Sequence, residues 1–308
     1  GHIVREEDIP ALLSVGKEHL YVWEKQEGIL HENEAAEILY RISADIHMHG
    51  SDIKEGKIEL IADCDGVLKI RRDALLAVNS LGEMMIASRH GDFPVKKGDK
   101  IAGTRIIPLV IEKSKMDKAE KVAGTKPIFS ILPYRSKKVG IITTGSEVQK
   151  GLIKDTFTPV LKEKLDEFSC QILGQTLPGD ERSQITSDIL SFIDQGADMV
   201  ICSGGMSVDP DDRTPGAIKD TGAEIVTYGA PVLPGAMLLS YYQNNDKIIP
   251  ILGLPGCVMY ARRTVFDLIL PRIMADDRIC ADEIASYGEG GLCLNCDVCT
   301  FPNCGFGK

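Results

Sequence analysis

The chain has 308 residues, of which 44% are hydrophobic and 26% charged, and its formal net charge is −10. This composition is typical of a globular protein, and the length predicts two or three domains. The negative charge argues against a nucleic-acid-binding surface, and no apolar run reaches the ~18 residues that a membrane span requires. Nine cysteines, five of them isolated in the sequence, are typical of reduced thiols. We therefore expect a cytoplasmic protein without a membrane or nucleic-acid partner.

Residues 1–136 contain short β-like runs and one clear early helix, which begins at acidic residues and ends near Ile42. Asp65-Gly66 separates the runs Ile58–Ala62 and Val67–Ile70, and this spacing predicts a β-hairpin. Another β-like run covers Thr104–Ile111. We expect a small α+β or β-rich accessory domain that serves as a scaffold or joins copies into a homo-oligomer.

Residues 137–275 alternate between strand and helix patterns. Strands are predicted at 139–142, 170–173, 199–202, 224–226, 237–241 and 248–252, and helices at 155–168, 180–193, 215–220 and 257–273. Such alternation predicts an α/β domain, in which helices cover both faces of a mainly parallel sheet. The close spacing of the last three runs predicts one or more antiparallel strands at the sheet edge.

Four loops fall at strand ends of this predicted sheet, where ligands of open α/β folds bind. They are Thr143-Thr144-Gly145-Ser146-Glu147, the turn at Asp180, Ser203-Gly204-Gly205 followed by three aspartates, and Leu254-Pro255-Gly256. Glycines let backbone N–H groups approach an anion, and carboxylates suit Mg²⁺. The loops together predict a site for a phosphorylated ligand handled with a metal ion.

The tail, residues 276–308, contains Cys293, Cys296, Cys299 and Cys304 in the spacing C-x2-C-x2-C-x4-C. Four thiolates this close in sequence favour a Zn²⁺ site or an iron–sulfur cluster, and disulfides are the alternative. We expect the tail to need such a metal in order to fold, because it has no core of its own. An iron–sulfur centre here would make the protein an electron carrier.

The motifs TTGSEV, SGGMSVDPDD, LPGAM and GLPG, in this order, make residues 137–275 resemble the molybdopterin-binding domain. That domain occurs in molybdopterin adenylyltransferases, molybdopterin molybdotransferases and competence-damage proteins, and it is a three-layer α/β/α sandwich. The first domain and the tail resemble a clostridial-type subgroup of molybdopterin-binding proteins.

The resemblance implies roles for individual residues. Catalytic or Mg²⁺-handling roles are implied for Glu147, Asp180, Asp209 and Asp212. Contacts to molybdopterin are implied for Thr143, Thr144, Gly145, Ser146, Ser203, Gly204, Gly205, Met206, Ser207, Pro234, Gly235, Leu254, Pro255 and Gly256. Three positions depart from the family pattern: Ser146 replaces an acid, Ala236 replaces a lysine, and Cys257 stands where Asn or Gln is usual.

The function implied is a step of molybdenum cofactor biosynthesis, with molybdopterin as ligand. The step is either Mg²⁺-dependent adenylylation, with ATP as the AMP donor, or insertion of molybdate. The departures from the family pattern favour an alternative, a non-catalytic carrier that delivers molybdopterin to a molybdoenzyme. The electron carrier built on the cysteine tail is the third hypothesis.

Overall fold

The computed structural model describes residues 4–19, 26–206, 213–235 and 237–308. In this part of the chain the helices are α1 (Ile9–Ser14), α2 (Glu32–Ser43), α3 (Arg72–Asn79), α4 (Lys113–Ala123), α5 (Ser146–Gln149), α6 (Phe157–Asp166), α7 (Arg182–Asp194), α8 (Thr214–Asp220), α9 (Val265–Met274) and α10 (Ala281–Ser286). The strands are β1 (Ile29–His31), β2 (Met48–Gly50), β3 (Lys57–Ala62), β4 (Gly66–Ile70), β5 (Met84–Ser88), β6 (Phe93–Val95), β7 (Lys100–Ile106), β8 (Val110–Glu112), β9 (Phe129–Pro133), β10 (Lys138–Thr144), β11 (Gln171–Gly179), β12 (Met199–Ser203), β13 (Glu224–Tyr228), β14 (Leu238–Asn244) and β15 (Lys247–Leu254). No helix in these ranges has the length and apolar character that crossing a membrane would require.

A six-stranded sheet in the order β11-β10-β12-β15-β14-β13 forms the centre of the second half of the chain. The first four strands are parallel to one another, and β14 and β13 complete the sheet as antiparallel strands. The predicted α/β fold with antiparallel edge strands is therefore confirmed.

Helices cover both faces of this sheet, as the two separate apolar clusters show. Residues of α6 and α9 pack with one set of sheet side chains, and residues of α7 and α8 pack with the other. Because both faces are covered, all five residues of β12 are buried, and the strand has a continuous apolar sequence rather than an alternating one. At Gly140 a Cβ would lie 2.4 Å from Cγ of Phe192, so α7 packs directly on the backbone of β10.

The region before β10 is β-rich, with a four-stranded sheet β2-β3-β7-β5, a three-stranded sheet β6-β4-β9 and the pair β1-β8. The predicted hairpin at Asp65-Gly66 is wrong, because the strands before and after it belong to different sheets. Gly66 instead pairs with Pro133 of β9, and a Cβ there would lie 2.3 Å from the carbonyl oxygen of Leu132. The glycine therefore permits close approach of a distant strand that the sequence pattern did not reveal.

Two further predicted elements are interrupted in the structure. The run predicted as one strand at 104–111 is divided between β7 and β8, which pair with different strands. The helix predicted from Cys257 is a short 3-10 turn, Gly256–Met259, followed by α9. Thr264 caps α9 because its hydroxyl accepts from the amide of Phe266, while its own amide donates to Asp267. This capping box sets the start of the helix at Val265, eight residues after the predicted start at Cys257.

Charged groups connect the N-terminal region with the end of α9. Lys69, in β4, lies 2.5 Å from Asp92 and 2.9 Å from Asp277. Arg272, only 2% exposed, donates to Asp277 and to Glu283, each at 2.6 Å. The two carboxylates satisfy a buried guanidinium, which would otherwise be costly.

The cysteine-containing tail packs on the main core. Phe306 is 4% exposed within the cluster that contains α9, and Phe301 contacts the rings of Phe93 and Phe306. Side chains of the large core thus support the tail, which has no core of its own but is not without apolar contacts.

Candidate functional site at the carboxyl edge of the sheet

The carboxyl ends of the four parallel strands lie side by side. Thr144 pairs with Gly179 of β11, Thr143 pairs with Ser203 of β12, and Ser203 pairs with Leu254 of β15. The glycine loops that follow β10, β12 and β15, and the turn at the end of β11, are therefore neighbours along one edge. We call this the carboxyl edge.

A buried hydroxyl network joins the loop after β10 to the loop after β12. Thr214, at the start of α8, lies with its Oγ1 atom 3.2 Å from Thr144 Oγ1 and donates to the carbonyl of Gly204 at 3.0 Å. Thr144 Oγ1 also donates to the carbonyl of Ser203. Gly204 has φ +87°, and a Cβ there would lie 2.7 Å from the Thr144 carbonyl oxygen, so only glycine fits. Its amide donates to the Leu254 carbonyl, which adds the loop after β15.

The loop after β10 is also joined to the end of β11, through Ser146 and Asp180. The Oδ2 atom of Asp180 accepts from the amide of Ser146 at 2.8 Å and from its hydroxyl at 2.7 Å. Both groups of Ser146 thus point at one anionic oxygen. The turn after β11 thus brings a carboxylate to Ser146, the position at which the resemblance implies an acid.

A second polar network lies next to Thr143. Its other members, Gln175 and Asp155, were not predicted as site residues from the sequence. Gln175 donates to Thr143 Oγ1 at 3.1 Å and to Asp155 Oδ2 at 2.6 Å. Asp155 also accepts from the amides of Phe157 and Thr158 at the start of α6. Burial raises the pKa of Asp155, but the hydrogen bonds from Thr158 and Gln175 outweigh it and hold the pKa below its usual range. The only sequence signal was an aspartate at the first position of the helix predicted over 155–168.

The loop before β14 reaches the same edge, since Leu238 pairs with Gly253 near the end of β15. Gly235 packs against the start of α9, where a Cβ would lie 3.2 Å from the Val265 amide nitrogen. Gly256 faces open space, with no atom within 4 Å of a Cβ built on it. Pro255 and Gly256 therefore leave backbone accessible at the edge.

The remaining predicted residues differ in their placement. Glu147 is exposed. Met206 is only 6% exposed, and its sulfur would lie 2.6 Å from a Cβ at Gly253. Its side chain therefore packs on β15 and supports the loop after β12. Ser207, Asp209 and Asp212 lie outside the described residues.

The four cysteines of the tail line one cavity of about 280 Å³, together with Arg262 and Arg263. Cys296 and Cys299 are exposed, and Cys293 and Cys304 are partly buried. A backbone hydrogen bond from Phe301 lowers the pKa of the Cys299 thiol, and the guanidinium of Arg263 adds to the effect. Across the described ranges, no three His, Cys, Asp or Glu side chains stand in the arrangement of a metal site.

Comparison with known proteins gives two family matches. Residues 140–275 match the family described as "Probable molybdopterin binding domain", and residues 1–24 match a domain of unknown function. The molybdopterin molybdenumtransferase of Haemophilus influenzae is 27% identical over 235 residues, covering 73% of this chain and 54% of that protein. The one of Synechococcus elongatus is 26% identical over 192 residues, covering 60% of this chain and 44% of that protein.

Among solved structures, the tungsten cofactor synthesizing protein MoaB of Pyrococcus furiosus matches with 17% identity and a TM-score of 0.38. That match covers 47% of this chain and 99% of the other. The chain spans about half the length of the two curated relatives. Residues 140–275 therefore match the molybdopterin-binding domain family, and the chain is similar to enzymes of molybdenum cofactor biosynthesis.

Proposed function

We propose that this chain binds molybdopterin at the carboxyl edge and acts in molybdenum cofactor maturation, by Mg²⁺-dependent adenylylation or by molybdate insertion. One observation carries the proposal: the loops after β10, β12 and β15 lie next to one another and are joined by hydrogen bonds through Thr144, Thr214 and Gly204. The family assignment of residues 140–275 supports molybdopterin as the ligand.

The residues at this edge divide into supporting and contacting groups. Thr143 and Thr144 are buried, and their hydroxyls are bonded inside the protein, so they fix the shape of the loops. The backbone around Gly256 is open to a ligand, whereas the amide and hydroxyl of Ser146 already donate to Asp180. Backbone amides held in place at this edge would be donors for a terminal phosphate, because such groups stabilise anionic oxygens at little reorganisation cost.

Asp180 fits a Mg²⁺ ligand. Mg²⁺ is usually held by one or two carboxylates plus substrate phosphates, so a full cage of protein ligands is not required. Carboxylates that bind metals are themselves hydrogen-bonded, as Asp180 is to Ser146. When bound, Mg²⁺ would neutralise phosphate charge, and Ser146 would fix the orientation of the carboxylate.

The proposal is tested by incubating the protein with molybdopterin, Mg²⁺ and ATP, and separately with adenylylated molybdopterin and molybdate. Formation of adenylylated molybdopterin, or its molybdate-dependent consumption, is the expected result and identifies the step. Tight binding without turnover would assign the carrier role, and absence of binding would refute the proposal. Asp180→Asn should reduce turnover at least tenfold while keeping the fold, and Asp194→Asn, at the exposed end of α7, is the matched control.

A further inference from the structure

The cysteine cavity has chemistry that the proposed function does not use. We propose that Cys293, Cys296, Cys299 and Cys304 bind one thiolate-ligated metal centre, and that the bound centre fixes the Leu233–Gly235 loop at the carboxyl edge. The centre is a Zn²⁺ ion or an iron–sulfur cluster, since both select thiolate ligands.

The first observation that supports a thiolate-ligated metal is the composition of the cavity wall. Cysteines are its metal-binding side chains, and no Asp, Glu or His is among the described residues that line it. Such a wall disfavours Mg²⁺ and Ca²⁺, which require oxygen ligands. The cavity volume of about 280 Å³ exceeds several-fold the roughly 30 Å³ that a water occupies in the liquid. A metal centre with four sulfur ligands therefore has room.

The second observation is the positive charge near the four cysteines. Four thiolates around one Zn²⁺ ion leave an excess of two negative charges, and a four-iron cluster with four thiolates is also anionic. Arg262 and Arg263 line the same cavity, and the guanidinium of Arg263 lies 4.9 Å from the centre of the Phe301 ring. Arg263 is also paired with Asp267 at 2.8 Å, so its charge is shared between this carboxylate and the thiolates. The two cations together offset part of the excess, because opposite charges nearby favour the deprotonated ligand.

The tail is anchored at both ends of the cysteine segment. The amide of Gly307 donates to the carbonyl of Gly290, so the segment forms a closed loop. Cys293 and Cys304 pack partly buried against the main core, whereas Cys296 and Cys299 are exposed. Because the described cysteines do not already stand in the arrangement of a metal site, the exposed pair would have to move towards the anchored pair to complete the ligand set when metal binds.

Hydrogen bonds connect this closed loop to the candidate molybdopterin site. Leu233 donates its amide to the carbonyl of Gly291 at 2.8 Å and accepts from the amide of Cys293 at 2.7 Å. Arg262, which follows the loop after β15, donates to the carbonyls of Asp297 at 2.7 Å and Cys296 at 3.2 Å. Metal ligation by Cys293 and Cys296 would therefore hold Leu233, which directly precedes Pro234 and Gly235, and also Arg262.

The test uses the full chain, purified without oxygen, and requires no molybdopterin. Metal and acid-labile sulfide are measured per chain, together with visible absorption. One Zn²⁺ per chain without colour, or iron with sulfide and visible absorption, is the expected result, and each outcome identifies the centre. Less than a tenth of a centre per chain, both as purified and after reconstitution with Zn²⁺ or with iron and sulfide, would overturn the proposal.

Variants and exchange measurements complete the test. The double variant Cys296→Ser/Cys299→Ser should keep less than a tenth of the metal, while Cys280→Ser, at an exposed cysteine outside the cavity, should keep all of it. Full metal content in the double variant would refute the ligand assignment. Chelated wild-type protein should exchange the amide hydrogens of Leu233 and Cys293 at least tenfold faster than the metal-bound form. Equal exchange would refute the coupling, whether or not the double variant folds.

Discussion

Replacement of Thr214 by valine tests the hydroxyl network that holds the loops of the carboxyl edge together. Thr214 is 0% exposed, and its hydroxyl lies within hydrogen-bonding distance of Gly204 and Thr144. Valine keeps the shape of the side chain but leaves the partly buried Gly204 carbonyl without this donor. An unsatisfied buried polar group costs about 1–3 kcal/mol, so we expect the free energy of unfolding to fall by an amount near the lower end of this range.

The same substitution should weaken molybdopterin binding, because the Gly204 backbone is then no longer held in place. A loss of about 1.4 kcal/mol in binding free energy corresponds to a tenfold rise in Kd. Urea unfolding measures stability, and an unchanged m value shows that the denatured state is the same. Thr214→Ser is the control, since it keeps the hydroxyl and should bind molybdopterin with wild-type affinity. Wild-type stability and wild-type Kd in Thr214→Val would refute the role of this network.

Three further predictions concern packing and charge. Gly140→Ala should lower the free energy of unfolding, measured with urea, by about 1–3 kcal/mol, because the new methyl group overpacks the contact with Phe192. Gly103→Ala is the control: no atom lies within 4 Å of its new methyl group, so the loss should be less than half as large. Equal losses in the two variants would contradict the packing argument. Arg272→Met should lower the free energy of unfolding by about 1–3 kcal/mol, because Asp277 and Glu283 each lose a hydrogen-bonded cation while Asp277 keeps Lys69; wild-type stability would contradict this. Burial raises the pKa of Asp92, but hydrogen bonds, first from Lys69, outweigh it and lower the pKa below 3.8. The contribution of Asp92 to the free energy of unfolding is therefore fully present above its unfolded pKa and is lost as the pH falls through its folded pKa. Asp92→Asn should make the free energy of unfolding fall less steeply as the pH is lowered into the acid range. An unchanged acid slope would count against the ion pair with Lys69.

Local patterns were sufficient to predict much of the α/β domain. The apolar run of β12, followed by glycines, predicted a strand buried on both faces and a loop at its carboxyl end, and the structure has both. The parallel arrangement then placed Gly145, Gly204 and Gly256 at one edge. These predictions succeeded because strand direction alone decides which loops become neighbours.

The errors arose where distant residues decide the structure. Gly66 was interpreted as a hairpin residue, but it permits contact with β9, 63 residues or more further along the chain. The bond between Ser146 and Asp180 and the position of Thr214 next to Thr144 depend on strand register, which the sequence pattern does not encode. The domain limits at 136 and 275 and the metal at the tail stay predictions.

Hydrogen exchange with and without molybdopterin tests the central claim most directly. The account predicts slower exchange in residues 144–147, 203–206 and 254–256 when molybdopterin is added, with little change in the β-rich N-terminal region. Protection confined to other parts of the chain, or no protection at saturating molybdopterin, would contradict the assignment of the carboxyl edge as the binding site.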